Sequence, residues 1–210
     1  MSKVYFSVTI SLDGVMAAPE DRTVSEWMPQ WMRLQDYLFH QRFFRRNLGF
    51  GDDGETGVDN QIVQHTFERT GATIIGRRMF NEGERMWPEE APFHTPVFVL
   101  THHAREPWVR PGGTVFHFVT DGVESALRQA REAAGERDIR IGGGPHTVRQ
   151  FLAAGLVDEF HVGVAPVLLG EGQRLFDQID ASGVTLEPAE STFSPRMNHL
   201  RYTVKRVASK

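Results

Sequence analysis

The sequence predicts a three-layer α/β fold on a mixed, mainly parallel sheet with an antiparallel C-terminal edge. Three observations carry this. Strand and helix patterns alternate over the first three quarters of the chain, two of the strand runs are continuously apolar, and the last strand patterns follow one another without helices between them. A length of 210 residues with 40% hydrophobic content allows one sizeable core, so a single domain over 1–210 is expected.

Val4 to Ile10 alternates apolar residues (Val4, Phe6, Val8, Ile10) with small polar ones, the mark of a strand with two unlike faces, and ends in the turn composition Ser11-Leu12-Asp13-Gly14. From Trp27 to Asn47, residues Trp27, Trp31, Leu34, Leu38 and Phe39 recur at helical spacing. Arg42, Arg45 and Arg46 suit the C-terminal end of that helix. Gly49 to Asn60 (GFGDDGETGVDN) is glycine-rich and acidic with little to bury, and an exposed, mobile loop is expected there. Ala72 to Ile75 reads as a buried strand running into Gly76-Arg77-Arg78-Met79-Phe80 at a helix start.

Pro96 to Thr101 and Val115 to Val119 are runs of the kind covered on both faces. In Asp121-Gly122-Val123-Glu124 a carboxylate is placed to cap a helix, whose stripe is Val123, Ala126, Leu127 and Ala130 and whose terminal glycine is Gly135. Asp138 to Ile141 is a strand entering Gly142-Gly143-Gly144-Pro145, and Val148, Phe151 and Leu152 mark a helix that stops at Gly155. Val157 to Val164 with Pro166 to Leu169 reads as one long bent strand. Thr185 to Glu190 and His199 to Val207 read as a closing hairpin.

A net charge of −4 and a pI near 6.1 exclude the broad positive field that draws proteins to nucleic acid or anionic lipid. The absence of cysteine removes disulfide scaffolds, thiolate metal sites and cysteine nucleophiles, and fits a reducing cytoplasm. MSKVYFSVTI passes straight into a strand pattern, so no targeting segment is expected. No run of about 18 apolar residues offers a bilayer span.

In sheets of this class ligands bind beyond the carboxyl ends of the strands, so the residues that follow each strand are the informative ones. Gly142-Gly143-Gly144-Pro145 with His146 and Thr147 joins a strand to a helix; it is either a tight connection or a turn whose bare backbone lets a pyrophosphate reach free N–H groups. Gly76-Arg77-Arg78 offers the same geometry with two guanidinium groups suited to phosphate, or else a solvated basic helix end. Thr101-His102-His103 could receive an adenosine 2′-phosphate. The rival is zinc, for which no third ligand stands at recognisable spacing, so no metal is expected. The first turn is SLDG rather than G-x-G-x-x-G, which argues against a conventional Rossmann dehydrogenase.

Taken together, SLDG, IIGRRMF, PVFVLTHH and IGGGPHTVRQFLAAGLVDEFHVGVAPVLLGEGQRLF resemble the family that unites dihydrofolate reductase with the reductase domain of bacterial riboflavin biosynthesis, over nearly the whole chain. The resemblance implies a dihydrofolate reductase-like fold with NADPH across the strand ends, held by Gly76, Arg77 and Arg78, by Thr101 to His103, and by Gly142 to Thr147. It implies that Asp13 sits near the nicotinamide and that Leu168, Leu169 and Gly170 pack beside the site. Two departures stand out. The riboflavin-pathway reductases carry a substrate-binding glutamate where this chain has Gly142, and the pterin-gripping acid of dihydrofolate reductases has Asp36 as its nearest counterpart.

The expected activity is hydride transfer from NADPH to a small pterin-, folate- or pyrimidine-like substrate, with Asp13 and Asp36 as candidate catalytic carboxylates. Trp27, Trp31, Phe39 and Phe43 would either cap a flat substrate, with Leu169 beside it, or pack a helix core. The alternatives are a dinucleotide- or folate-sensing module without turnover and a flavin or deazaflavin binder. Strand pairing between subunits would make a homodimer.

Overall fold

β1 (Val4–Ser11) presents Val4, Phe6 and Val8 to one face of its sheet and Tyr5, Ser7 and Thr9 to the other, because successive strand side chains point to opposite sides. The computed structural model describes residues 2–179 and 183–206. In it, β3 (Thr70–Gly76), β4 (Pro96–Leu100), β6 (Val115–Val119), β7 (Asp138–Gly143) and β8 (Glu159–Ala165) all run parallel to β1 in one sheet. The short β5 (Trp108–Val109) closes one edge antiparallel, and β11 (Asn198–Arg206) followed by β10 (Val184–Phe193) closes the other. The order is β10-β11-β8-β1-β7-β3-β4-β6-β5, the mostly parallel sheet with an antiparallel C-terminal edge that the pattern predicts. β2 (Val15–Ala17) and β9 (Gln173–Arg174) pair as a separate ribbon.

One face is covered by α5 (Val123–Ala134) and α6 (Pro145–Ala153), whose Leu127, Ala130, Val148 and Phe151 pack on Val4, Phe6, Ile74 and Ile141 as the main core. Full burial of each such large side chain stabilises by about 1.5–3 kcal/mol before entropy is counted. The opposite face carries α1 (Val24–His40), α2 (Arg42–Asn47), α3 (Val58–Arg69) and α4 (Arg77–Met86). There Phe80 of α4 packs with Ile75, Val97 and Phe116, and the Tyr5 hydroxyl donates to the Thr66 carbonyl of α3 at 2.9 Å. Among the described residues no helix is long and apolar enough to cross a membrane.

The structure departs from the sequence reading at four places. The helix expected over Trp27 to Asn47 is two helices. α1 begins earlier, at a capping box between Thr23 and Glu26, and stops at Gln41, which is extended (φ −82, ψ 129). Gln41 is held there because its neighbours pair with the returning chain: Glu55 donates to the His40 carbonyl at 2.8 Å and Arg42 to the Glu55 carbonyl at 2.9 Å. The Gly49 to Asn60 stretch is therefore anchored, with Arg42 and Arg45 on Asp52 and Asp53, and its last residues begin α3 with Asp59 and Asn60 buried. α5 is capped by Gly122 at φ 95 with no side-chain bond, so Asp121 is not its cap. β8 ends at Ala165 and Pro166 to Leu169 is not strand, since proline offers no N–H to a ladder. Val207 lies outside the described residues.

Candidate active site

The sheet order sets the ends of β7, β3 and β4 side by side, with Ile75 opposite Gly143 and Gly76 opposite Leu100. α4 and α6 consequently start next to each other, and both starts line one cavity of about 680 Å³. Neither helix has a side-chain cap, so their first N–H groups are free to meet an anion. Glycine is required here for reasons of space and conformation. A Cβ on Gly76 would collide with Thr147, and Gly143 sits at φ +119, where a Cβ would come within 3.1 Å of Met16. A Cβ on Gly144 would meet nothing within 4 Å, so its backbone is open to the cavity. The Gly143–Gly144 peptide is cis.

Most of the residues singled out from sequence meet at this cavity: Gly76, Arg77 and Arg78; Thr101, His102 and His103; Gly142, Gly143, Gly144, Pro145, His146 and Thr147; and Trp27 with Trp31. The two arginines differ. Arg78 is engaged, donating to the Pro19 and Arg22 carbonyls at 2.8 Å each and to Glu82 at 3.0 Å. Arg77, among the described residues, has no ion pair and lies near the Phe80 and Phe118 rings. Glu82 is the one carboxylate among the described lining residues, and burial, opposed by Arg78, raises its pKa. Trp27 is fully buried against Val15 and Ala18, and its indole N–H lacks a partner among the described residues.

Five expected site residues fall outside the lining: Asp13, Asp36, Leu169, and also Phe39 and Phe43, which pack edge-on or tilted against Trp31, Phe44 and Phe67. The Asp13 carboxylate accepts from the Ser11 hydroxyl at 2.6 Å and from the Leu169 and Gly170 amides at 3.1 and 2.7 Å. The Ser11 hydroxyl and those two amides hold its pKa down at about 2, so Asp13 is a brace between two turns and not a proton donor near neutrality. Leu169 is the other side of that brace and packs on Trp27 and Leu34. Asp36 is 59% exposed on α1 and faces His40 at 3.3 Å and Arg196 at 3.5 Å.

Sequence reasoning missed the other half of the cavity. Ser7, Thr9, Tyr37, Arg140 and His161 line it, roofed by Ile62, Thr66 and Phe67 of α3. Arg140 donates to the Ser7 carbonyl at 3.3 Å, lies 5.6 Å from the Phe67 ring centre, and has a buried Nε without a partner among the described residues. Burial first, then His199, Arg201 and Arg140, drives the His161 pKa down to about 3, so this ring is neutral. The available signal was the polar face of β1: a strand in the middle of a sheet that shows Ser7 and Thr9 to one side must have a cavity or polar partners there.

The comparisons with known proteins agree with this architecture. YyaP of Bacillus subtilis (strain 168), a protein named as uncharacterized, is 37% identical over 59 residues, a stretch covering 28% of this chain and 31% of that protein. A solved structure of a Shewanella sp. PV-4 protein named for riboflavin biosynthesis superposes with a TM-score of 0.68 at 22% identity, covering 97% of this chain and 99% of that one. Dihydrofolate reductase of Enterococcus faecalis, solved with NADP(H), superposes with a TM-score of 0.53 at 16% identity, covering 96% of each chain. At these identities the structural likeness establishes the fold. The family model of the RibD C-terminal domain matches residues 2–199, and the chain belongs to that family.

Proposed function

We propose that this protein is a reductase that transfers hydride from NADPH to a small heterocycle of the pterin, folate or pyrimidine kind. The observation that carries the reading is the convergence of two uncapped helix starts, those of α4 and α6, on one cavity that also holds Arg77 without an ion pair among the described residues. Paired helix N-termini favour a diphosphate, and a guanidinium favours a further phosphate. The residues fit such a group: Gly144 leaves open backbone, the lining carries three arginines and a single glutamate that Arg78 already engages, and the Trp27 N–H offers a donor. Family membership and the dihydrofolate reductase-like fold support the reductase reading.

When bound, NADPH would supply the hydride. The chain's own part is to align the acceptor, exclude water and provide a proton. Gly76, Arg77 and the Gly142 to Thr147 turn would hold the phosphates, with Thr101 to His103 beside the adenosine end. Trp31, Phe67 and Tyr37 would bound a flat ring in the other half.

The test is a spectrophotometric NADPH-oxidation screen over dihydrofolate, pterins and pyrimidinones. Oxidation with at least one acceptor is expected. NADPH binding without oxidation by any of them would favour a sensing module instead.

A further inference from the structure

Behind the substrate half lies a buried chain of side chains drawn from four elements. The His199 Nε2–H of β11 donates to Asp59 Oδ1 of α3 at 2.6 Å. His199 Nδ1 stands 2.9 Å from His161 Nε2 of β8, and His161 Nδ1 stands 2.9 Å from the Ser7 hydroxyl of β1. Asp59 and His199 are nearly inaccessible, whereas Ser7 and His161 line the cavity. Asp59 Oδ2 also accepts from Ser194 at 2.9 Å, so Asp59 acts as acceptor to two donors.

With Asp59 as acceptor, the chain has two complete hydrogen-bonded states that differ by one proton. In the first, His199 carries its proton on Nε2, His161 Nε2–H donates to His199 Nδ1, and the Ser7 hydroxyl donates inward to His161 Nδ1. In the second, His199 is an imidazolium on Asp59, its Nδ1–H donates to His161 Nε2, His161 Nδ1–H donates to Ser7, and the Ser7 hydroxyl is turned out to the cavity. His161 is neutral in both, as its buried position demands. Because the two states share the same heavy-atom positions, a proton can pass along the chain without any ring turning.

We infer that Ser7, His161, His199 and Asp59 form a proton wire that delivers one proton to the acceptor in the substrate half. The inference rests on the reductase reading and deepens it. Hydride from the reduced dinucleotide adds to the carbon of a C=N or C=O bond, whose π pair moves to nitrogen or oxygen. That atom takes the Ser7 proton, Ser7 takes one from His161 Nδ1, and His161 Nε2 takes one from His199 Nδ1, leaving neutral His199 on the Asp59 carboxylate.

Ser7 and His161 also border a second cavity of about 200 Å³ among Gln61, His65, Arg69 and Arg201, from which water can return the proton. Ser7 is the catalytic residue, and His161, His199 and Asp59 act through it. The charged and titratable groups around the wire include Tyr37 of α1, Arg140 of β7, Glu190 of β10, Arg201 of β11 and Arg196 just before β11, with His65 and Arg69 of α3 and Glu159 of β8 across the smaller cavity.

The deciding experiment is NMR of the whole chain with ¹⁵N-labelled histidine across pH, with rings assigned through His161→Gln and His199→Gln. When the buried chain takes up its extra proton, His161 should move its single proton from Nε2 to Nδ1 without becoming imidazolium. A His161 ring that keeps one tautomer, or that protonates itself in that step, overturns the wire. In turnover with an acceptor from the screen, His199→Gln should keep its hydrogen-bond partners but lower kcat about a hundredfold and erase the limb of the pH profile that follows the His161 tautomer switch in the wild type, with NADPH affinity unchanged. An unaltered kcat and profile overturns delivery even where the tautomer switch is seen. Failure of the wild-type chain to quench its tryptophan fluorescence with NADPH would sink the reductase reading and leave the tautomer result standing.

Discussion

The half of the cavity under α4 and α6 is made of backbone from adjacent strand-to-helix turns, whereas the half under α1 and α3 is made of side chains that meet only through the sheet. In the first, Gly76 and Gly142 to Thr147 are neighbours because β3 and β7 pair, and the groups that matter are N–H donors any sequence would carry, exposed by glycine. In the second, Ser7, His161 and His199 come from β1, β8 and β11, and Asp59 is separated from His199 by 140 positions. Backbone sites tolerate change in the side chains around them and are sensitive to an added Cβ. Side-chain sites behave the other way.

Three sets of variants can break or sharpen this contrast. Gly143→Val should have the largest effect, with dinucleotide affinity falling more than about a hundredfold, because a β-branched residue at positive φ is strained and its side chain presses on Met16. Gly144→Ala, whose added methyl meets no neighbour, should weaken binding by about tenfold with Tm unchanged, the cost a fixed diphosphate contact carries. Equal affinity in both variants would show that this turn does not contact the ligand.

The arginine pair comes next. Arg77→Ala should weaken NADPH by about tenfold more than NADH without changing stability. Arg78→Ala should instead lower stability by about 1–2 kcal/mol, since it strips the Pro19 and Arg22 carbonyls of a charged donor. Parallel titrations and thermal melts separate the two, and identical behaviour of the variants would contradict the assignment.

The two carboxylates outside the cavity come last, and Asp36 has the smallest effect of all. Asp13→Asn should cost about 1–2 kcal/mol by weakening the charged acceptor of two amides. The Asp13 pKa is lowered in the folded chain to about 2, so its stabilising contribution is present above the unfolded value of 3.8 and is lost as pH falls through about 2. The wild-type minus variant difference in stability should therefore shrink across that acid window, and a constant difference would contradict the ionised brace. Asp36→Ala should change stability by less than about 0.5 kcal/mol, because exposed ion pairs contribute little.

The same contrast explains what could be read in advance. β1, β3, β4, β6 and β7 announce themselves through alternation or apolar runs, and the glycine turns through a conformation few other residues adopt. α3 was not legible, because Val58 to Arg69 has a weak apolar stripe and its buried positions include Asp59, Asn60 and Thr66. Asp13 and Asp36 are carboxylates near expected sites, yet the sequence does not tell that amides already occupy one and that the other faces outward. The histidines of β8 and β11 look like ordinary strand residues until antiparallel pairing sets His199 beside Gly163 and next to His161.

The most direct measurement is a calorimetric titration of the wild-type chain with NADPH, repeated with Gly143→Val. One NADPH per chain bound with measurable heat by the wild type, and none by the variant while its circular dichroism stays native, is the predicted result. No heat from the wild-type chain, or equal binding by the variant, would contradict the claim that two helix starts hold one diphosphate.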